Sequence, residues 1–165
     1  MTSLKSKDYI ISEYIPVDKI AVIKNEIFYK PRSFWVEGTI GVLGNSIFNP
    51  SLCLTENSLL TMEEKFLQGA GTNLTPIPTA IMDAENIEII KKVTKTLMEK
   101  LGLNTYCRMD FFYHIKTQRM AIIEVNTLPA LTPATVLFQQ AIQENITPQL
   151  LMSKIIQLVQ KQKEI

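Results

Sequence analysis

Two apolar, strand-like runs in the second half of the chain each carry polar residues two positions apart. The first run contains Arg108 and Asp110, and the second contains Glu124 and Asn126. Because side chains two residues apart on a strand point to the same face, each run places its two polar groups on one face. Such groups are costly on the buried side of a sheet unless they are paired. A divalent metal ion and a polyphosphate would pair with all four, so these runs predict a site for a metal-bound nucleotide.

The connection between the two runs determines how their polar groups meet. A loop of residues 116–118, with Ile115 paired to Arg119, places Asp110 opposite Glu124. The same register places Arg108 opposite Asn126 on the same face. Facing residues lie about 4.5–5.5 Å apart at Cβ, and two carboxylates this close repel each other unless a cation lies between them. Mg²⁺ prefers oxygen ligands of this kind, and an arginine beside them would bind a phosphate or an oxyanion.

The residues themselves leave one alternative open. Arg108 could form a salt bridge with both acids, while Asn126 serves as a turn residue before Thr127. A slip of one residue in the loop would place the two acids on opposite faces and would remove the metal site. The register of the two strands therefore tests the metal hypothesis.

Length and composition are those of an ordinary globular domain. The 165 residues are 46% hydrophobic and 20% charged, with a formal net charge of +1, which favours neither nucleic acid nor an acidic partner. No apolar run is long enough to span a membrane, and no secretory signal is visible, so we expect a cytoplasmic protein. The isolated Cys53 and Cys107 are expected to be reduced and buried. The single histidine, His114, is assigned no role.

The order of predicted elements indicates an α+β fold. The first half predicts strands over 8–15, 19–29 (with a turn at 24–26), 34–43 and 47–54, followed by an irregular stretch over 55–79 that is functional or mobile. The second half predicts a helix over 84–101 between the N-cap Asp83 and the stop Gly102, strands over 105–113 and 120–126, and helices over 134–143 and 148–162. Helical spacing predicts apolar stripes at Ile87, Ile90, Val93, Leu97, Met98 and Leu101, and at Leu150, Leu151, Ile155, Leu158 and Val159. Further core residues are expected at Met109, Phe111 and Phe138.

The polar hairpin resembles the C-terminal part of D-alanine–D-alanine ligases, which belong to the ATP-grasp superfamily. Residues 108–111 and 124–132 follow the family pattern Arg-x-Asp-Phe, then Glu-x-Asn-Thr-x-Pro-Gly-x-Thr, with the glycine changed to Ala130. Segments 37–45, 63–66 and 76–78 resemble family segments in the same order. The resemblance runs from about Val36 to the C-terminus, and residues 12–15 are weakly similar to the hinge strand that binds adenine.

This resemblance implies a fold, a reaction and a set of site residues. The fold is the C-terminal part of an ATP-grasp enzyme, a mainly antiparallel sheet with a long packed helix and two C-terminal helices. The cofactors are ATP with Mg²⁺ or Mn²⁺, and a dipeptide forms through an acyl phosphate. Metal ligands are expected at Asp110, Glu124 and Asn126, and the catalytic arginine at Arg108. ATP contacts are expected at Lys65, Glu37 and Glu13, and substrate contacts at Ala130, through its backbone N–H, and Thr135.

Several of these roles have simpler alternatives. Lys65 could be a solvated loop residue, Glu37 a salt-bridge partner, and Thr135 the N-cap of the following helix. Another amino-acid or dipeptide ligase, or an inactive fragment that acts as an interaction module, would also fit the residues.

The chain also departs from the family pattern. It lacks the N-terminal and central domains and the glycine-rich phosphate loop, and it has additional sequence between Ile15 and Glu37. We therefore expect residues 1–165 to form one C-terminal domain with little or no catalysis alone. Its expected partners are a small amino-acid substrate, the missing N-terminal half and a second copy in a homodimer, with no nucleic acid or membrane.

Overall fold

The computed structural model describes residues 12–24, 26–54, 73–132 and 134–163. Its strands are β1 (Ile20–Ile23), β2 (Glu26–Tyr29), β3 (Trp35–Leu43), β4 (Ser46–Ile47), β5 (Ser51–Cys53), β6 (Asn73–Leu74), β7 (Tyr106–His114) and β8 (Arg119–Asn126). Its helices are α1 (Ala84–Leu101), α2 (Val136–Gln143) and α3 (Pro148–Lys163). The main sheet has the order β6-β5-β3-β7-β8, with β4 also paired to β3. All of these pairings are antiparallel, which confirms the predicted α+β class.

The long pairing of β3 with β7 divides the sheet into two faces. One face carries Val36, Ile40 and Met109 into a core that also contains Ile90 of α1. The other face begins with Leu43 and Tyr106, which pack with residues of α2 and α3 in a second core, and continues toward Asp110. The predicted core residues Met98, Met109, Phe111 and Phe138 are all buried, as expected. The polar hairpin residues therefore lie on the face beside the second core.

Helix α1 has the predicted limits but a different buried face. Asp83 accepts a hydrogen bond from the backbone N of Asn86 (2.9 Å), and Gly102 ends the helix in the left-handed conformation at φ 64°. The buried residues follow a row of i, i+4 spacing that includes the polar Asn86 and Thr94. Asn86 belongs there because its Oδ1 accepts a hydrogen bond from the hydroxyl of Tyr113 (2.7 Å). A stripe drawn through apolar residues alone misses this row.

The predicted stripes were consequently wrong at their margins. Val93 and Leu101 of α1 are 37% and 52% exposed, and Leu150 and Val159 of α3 are 43% and 38% exposed. Within α3, Leu151 and Ile155 are buried as predicted. Because a helix buries only the part of its surface that packs against the rest of the fold, apolar residues at the edges and ends of the predicted stripes are partly exposed.

Several strand predictions also need correction. Residues 12–19 have no regular secondary structure, so the described part of the predicted strand over 8–15 is not a strand. The predicted strand over 47–54 is instead the two short strands β4 and β5, interrupted before Pro50, which has no N–H for a sheet ladder. Helix α2 begins at Val136, two positions after the predicted start. Of the irregular stretch over 55–79, residues 55–72 lie outside the described residues, and residues 73–74 form β6.

The segment from residue 19 to residue 29 forms a hairpin of its own. Strands β1 and β2 pair only with each other among the described strands, and Lys24 in their turn has φ 50°. This agrees with the predicted turn at 24–26, although Asn25 lies outside the described residues. The hairpin occupies the additional sequence between Ile15 and Glu37.

The two cysteines differ in burial. Cys107 is buried as predicted, whereas Cys53 is only half-buried, and neither belongs to a disulfide among the described residues. Burial raises the pKa of Cys107 to about 11. In the part of the chain that the structure describes, no helix is long and apolar enough to cross a membrane.

One glutamine of α2 fills a break in the hydrogen-bond ladder beside β3. Strand β3 pairs with β5 at its start and with β4 at its end, so the backbone between these pairings needs another partner on that side. The fully buried Gln140 provides it. Its Oε1 accepts from the backbone N of Gly41 (2.7 Å), and its Nε2 donates to the carbonyl of Thr39 (2.9 Å) and to Ser51 Oγ (2.9 Å). An added Cβ at Gly41 would lie 2.4 Å from Leu137 Cδ1, so a glycine is needed for this close approach.

A buried carboxylate holds the chain where it enters β3. Asp18 is 7% exposed and accepts hydrogen bonds from the backbone N of Arg32 (3.1 Å), Ser33 (2.8 Å) and Phe34 (2.9 Å). Burial alone would raise the pKa of Asp18, but the backbone hydrogen bonds from Ser33, Arg32 and Phe34 and the Ser33 hydroxyl hold it below the ordinary value of 3.8. The ionised form of Asp18 therefore stabilises the folded chain.

This arrangement predicts a dependence of stability on pH. Because the folded pKa is below the unfolded one, the contribution of Asp18 is present above the unfolded value of 3.8 and is lost as pH falls through the folded value. We expect Asp18→Asn to lower the free energy of unfolding at pH 7 by about 1.5–3 kcal/mol, the range for hydrogen bonds to charged groups. Urea unfolding of both proteins at pH 7 and pH 3 measures the effect. The difference should shrink at pH 3, and an equal difference at both values would contradict the assignment.

Candidate functional site

Strands β7 and β8 bring the four polar residues of the hairpin together. Asp110 lies opposite Glu124, and Arg108 lies opposite Asn126, as the sequence predicted. Facing residues of an antiparallel pair point to the same side of the sheet. The structure therefore places all four side chains on one face.

The loop between β7 and β8 differs from the predicted one, although the pairing of the four polar residues is as predicted. The loop is 115–118, with His114 rather than Ile115 opposite Arg119, so the expected three-residue loop was wrong. Left uncorrected, this shift would have turned Glu124 to the core face. An irregularity in β8 between the partners of Phe111 and Asp110 leaves Ile123 without a partner and restores the predicted pairing. A β-bulge of this kind re-aims the side chains that follow it.

The apolar residues of β8 explain why the bulge forms. Met120, Ile122 and Val125 lie opposite the core residues Tyr113, Phe111 and Met109. Their spacing is two residues and then three, and a regular strand cannot place all three on one face. The extra residue Ile123 therefore serves both faces of β8: it keeps Met120 and Val125 on the face toward the core, and Glu124 and Asn126 on the face with Asp110.

His114 has a structural position in the loop. Its Nδ1 accepts a hydrogen bond from the backbone N of Thr117 (3.1 Å), and its ring packs edge-on against Trp35 at a centroid distance of 5.1 Å. Gln118 completes the turn with φ 56°. These contacts hold the loop at the far end of the sheet face that carries Arg108 and Asp110.

The buried centre of the polar face is an ion pair. Arg108 Nε donates to Asp110 Oδ1 (3.0 Å) and its Nη2 donates to Oδ2 (2.9 Å), which is a bidentate pairing. The same Nη2 lies 3.6 Å from Glu124 Oε1. The side chains of Asp110 and Arg108 are 9% and 17% exposed, whereas that of Glu124 is 54% exposed. This is the salt bridge of the alternative interpretation, and it brings the guanidinium of Arg108 next to both carboxylates.

Asn126 connects the polar face to the loop that precedes α2. Its Oδ1 accepts a hydrogen bond from the backbone N of Leu128 (3.0 Å), which forms a side-chain-stabilised turn. Ala130 is exposed in the same loop. Thr135 occupies the N-cap position of α2, but its Oγ1 donates to the carbonyl of Thr132 (2.8 Å) and does not cap the helix. The two predicted substrate residues therefore follow the metal candidates along one continuous segment.

Two residues of β3 extend the polar face on its other side. Glu37 lies opposite Phe112 and is half-buried, and Thr39 lies directly opposite Asp110. Thr39 is only 3% exposed, and its Oγ1 has no hydrogen-bond partner among the described residues. The face therefore contains a buried hydroxyl next to a buried carboxylate.

Of the two remaining predicted ATP contacts, the structure describes only Glu13. Glu13 is exposed in the segment 12–19, which precedes β1 and has no regular secondary structure. The predicted hinge strand is therefore not found at Glu13. Lys65 lies outside the described residues.

The chemistry of the polar face suits a hard cation beside an anion. Two carboxylates and an amide oxygen are ligands that Mg²⁺ accepts, with further oxygens from phosphate or water. No cluster of three or more His, Cys, Asp or Glu side chains suited to a metal occurs within 12–24, 26–54, 73–132 and 134–163; the polar face offers two carboxylates and one amide. The guanidinium of Arg108 on the same face is a donor suited to a phosphate.

Sequence reasoning missed three residues of this region, namely Thr39, Phe112 and Gln140. Alternation would have indicated the first two, because Phe112 follows Arg108 and Asp110 at spacing two and Thr39 follows Glu37 in the same way. Phe112 is half-buried and supplies an apolar surface on the polar face. Nothing in the spacing of α2 distinguishes Gln140 from its neighbour Gln139, so its burial could be seen only in the structure.

Comparison with known proteins shows similarity to the C-terminal part of D-alanine–D-alanine ligases. The family model described as "D-ala D-ala ligase C-terminus" matches residues 16–157. The chain is 31% identical over 134 residues to the D-alanine–D-alanine ligase of Nitratidesulfovibrio vulgaris, covering 81% of the chain and 43% of that protein. It is 35% identical over 136 residues to the ligase of Prochlorococcus marinus, covering 77% of the chain and 37% of that protein. The chain thus spans well under two thirds of the length of the curated relatives it matches.

Solved structures show the same fold. The D-alanine–D-alanine ligase of Bacillus anthracis complexed with ATP aligns with a TM-score of 0.57 and 20% identity, over 84% of this chain and 42% of that one. The ligase of Coxiella burnetii aligns with a TM-score of 0.61 and 17% identity, over 84% of this chain and 36% of that one. These alignments confirm the predicted C-terminal part of an ATP-grasp fold.

Proposed function

We infer, from the fact that this chain belongs to the family of D-alanine–D-alanine ligase C-terminal domains, that it provides the metal- and ATP-binding wall of a carboxylate–amine ligase. The observation that carries the proposal is the facing pair Asp110 and Glu124, with Arg108 bonded to the first and Asn126 at the end of the same face. ATP and Mg²⁺ are the cosubstrate and cofactor that fit this set. Residues 1–165 are proposed to form one domain of the complete enzyme.

The proposed reaction joins two amino acids through an acyl phosphate. A carboxylate oxygen attacks the γ-phosphorus of ATP and ADP leaves; an amine then attacks the acyl carbon, phosphate leaves, and the nitrogen releases a proton to solvent. The bound Mg²⁺ would neutralise phosphate charge, with Asp110, Glu124 and Asn126 as its protein ligands. Arg108 would turn its guanidinium to the transferred phosphoryl group and to the tetrahedral oxyanion. None of these steps requires a covalent protein nucleophile.

The other predicted contacts extend this proposal along the face. Glu37 would bind the ribose, and the ring of Phe112 beside it offers an apolar surface for the base. The loop after Asn126 would present the backbone N–H of Ala130 and the hydroxyl of Thr135 to the amino-acid substrate. Lys65 would contact phosphate, and the backbone near Glu13 the adenine.

The proposed partners of the chain are the N-terminal half of the ligase and an amino-acid substrate. The chain spans 43% of the Nitratidesulfovibrio vulgaris ligase, and the N-terminal half is proposed to supply the opposite wall of the cleft. D-alanine is the amino acid to test first, because the relatives are named for it. A cytoplasmic location and a homodimer stay predictions from the sequence.

Binding of Mn²⁺ in place of Mg²⁺ tests the proposed site. We expect the chain to bind Mn²⁺ more tightly with ATP than without it, and Asp110→Asn and Glu124→Gln to lower that affinity by about 10-fold or more, as loss of a liganding or supporting group does. Electron paramagnetic resonance of free Mn²⁺ measures the affinity. Glu124→Gln keeps the variant folded because that side chain is exposed, and Glu88→Gln on exposed α1 surface is the matched control. Equal affinities for wild type and both site variants would refute the assignment.

Turnover separates the ligase from a binding module. The full-length protein should release ADP and phosphate from ATP only when D-alanine is present, and Asp110→Asn should abolish that release. Nucleotide binding without such release would favour the alternative of an inactive domain that serves as an interaction module.

A further inference from the structure

The hydroxyl of Thr39 is buried without a partner at the centre of the candidate site. Thr39 is 3% exposed, and among the described residues its Oγ1 makes no hydrogen bond. Buried hydroxyls are normally satisfied, and an unpaired one costs free energy. The backbone around it is fixed, since Thr39 pairs with Asp110 on one side and with Ser51 on the other, while its carbonyl accepts from Gln140. Only the side chain is free to respond to a ligand.

Two polar side chains lie next to Thr39, and only the carboxylate of Asp110 could become its hydrogen-bond acceptor when a ligand binds. The hydroxyl of Ser51 is already engaged by Gln140 Nε2 (2.9 Å) and by Thr75 Oγ1. Asp110 is the facing residue on β7, and facing side chains lie about 4.5–5.5 Å apart at Cβ. At present both carboxylate oxygens of Asp110 are bonded to Arg108. The donor of Thr39 is therefore beside a carboxylate whose orientation is set by its bidentate contact with Arg108.

Binding of a cation and a phosphate would break the hydrogen bonds between Arg108 and Asp110. A metal ion takes lone pairs of Asp110, and a phosphoryl group beside it attracts the guanidinium of Arg108. The carboxylate would then lose the two donors that orient it. Metal-bound carboxylates are usually held by a further hydrogen bond from the protein. Among the described residues, Thr39 Oγ1 is a donor without a partner, and it lies next to the carboxylate of Asp110.

We propose that Thr39 is a positioning residue of the metal site, whose hydroxyl donates to the Asp110 carboxylate once a divalent cation and a phosphate draw Arg108 away. This inference rests on the proposed function and adds a residue to it. Threonine suits the task because its β-branched side chain has few rotamers and fills the same space as valine on a buried strand. The cost of the unpaired hydroxyl in the unliganded chain is then recovered on binding.

Removing the hydroxyl while keeping the shape tests the proposal. We expect Thr39→Val to weaken Mn²⁺ binding in the presence of ATP by about 10-fold or more, while the urea midpoint of the unliganded chain stays the same or rises. Thr39→Ser should retain wild-type affinity, because it keeps the donor. Thr94→Val is the matched control: Thr94 Oγ1 is also buried without a described partner, but it lies on α1. That control should shift the urea midpoint in the same direction and leave Mn²⁺ affinity unchanged.

The same titrations separate this inference from the proposed function. If Asp110→Asn lowers the Mn²⁺ affinity and Thr39→Val leaves it unchanged, the metal site stands and the role of Thr39 is refuted. If Asp110→Asn has no effect, both are refuted. A large drop in the urea midpoint for Thr39→Val, with no such drop for Thr94→Val, would show that the hydroxyl is already bonded in the unliganded chain and would also overturn the inference.

Discussion

Gln140→Leu is expected to lower the free energy of unfolding by about 3–5 kcal/mol, since it leaves two buried backbone groups without partners, at roughly 1–3 kcal/mol each, and removes one of the two partners of a buried hydroxyl. The groups are the N–H of Gly41, the carbonyl of Thr39 and the hydroxyl of Ser51. Leucine fills a similar volume, so the loss measures hydrogen bonding more than packing. Urea denaturation followed by circular dichroism gives the free energy.

The same helix offers a matched control. Gln143→Leu makes the same chemical change at an exposed position of α2, and exposed substitutions usually change stability by less than about 0.5 kcal/mol. Gln140→Glu keeps the acceptor for the Gly41 N–H but loses the donor, so it should also destabilise the chain. Equal stabilities of Gln140→Leu and Gln143→Leu would show that the amide does not replace a strand beside β3.

The position of Gln140 connects stability to the candidate site. The carbonyl it holds belongs to Thr39, which faces Asp110 across the sheet. Helix α2 thereby fixes the central strand at the place where the metal candidates lie. The loop after Asn126 leads directly into the same helix. The segment 127–140 therefore contains both substrate candidates, Ala130 and Thr135, and the glutamine that bonds to β3.

The sequence predicted the hairpin because local rules determine it. Alternation placed Arg108 with Asp110 and Glu124 with Asn126 on single faces, and the structure confirms the resulting pairs. The limits of α1 were equally predictable, because Asp83 and Gly102 are strong helix-capping signals. These features depend on neighbouring residues and on spacing, which a single sequence displays.

The features that sequence reasoning missed depend on contacts between distant segments. Gln140 bonds to residues about a hundred positions away, and no local pattern distinguishes it from other helical glutamines. Asn86 is buried because Tyr113 on β7 donates to it. The bulge at Ile123 reflects a compromise between the core face of β8 and its polar face, and the loop prediction failed because it considered the polar face alone.

Arg108→Met is expected to lower the free energy of unfolding by about 3–5 kcal/mol, because it leaves a buried carboxylate without its partner. Asp110 is 6% exposed and receives both of its described side-chain hydrogen bonds from Arg108. The double variant Arg108→Met with Asp110→Leu should behave differently. Replacing a buried ion pair by apolar residues is often neutral or stabilising by about 1–4 kcal/mol, so the double variant should be at least as stable as wild type.

A thermodynamic cycle with Mn²⁺ decides why the chain retains this pair. If the pair serves a cation site, Mn²⁺ with ATP should raise the urea midpoint of wild type, because a ligand that binds only the folded state stabilises it. The double variant should gain nothing from Mn²⁺ despite its higher intrinsic stability. Charges kept at a cost in stability are typical of functional sites. A wild type that Mn²⁺ does not stabilise, together with a double variant less stable than wild type, would instead identify Arg108 and Asp110 as a structural salt bridge.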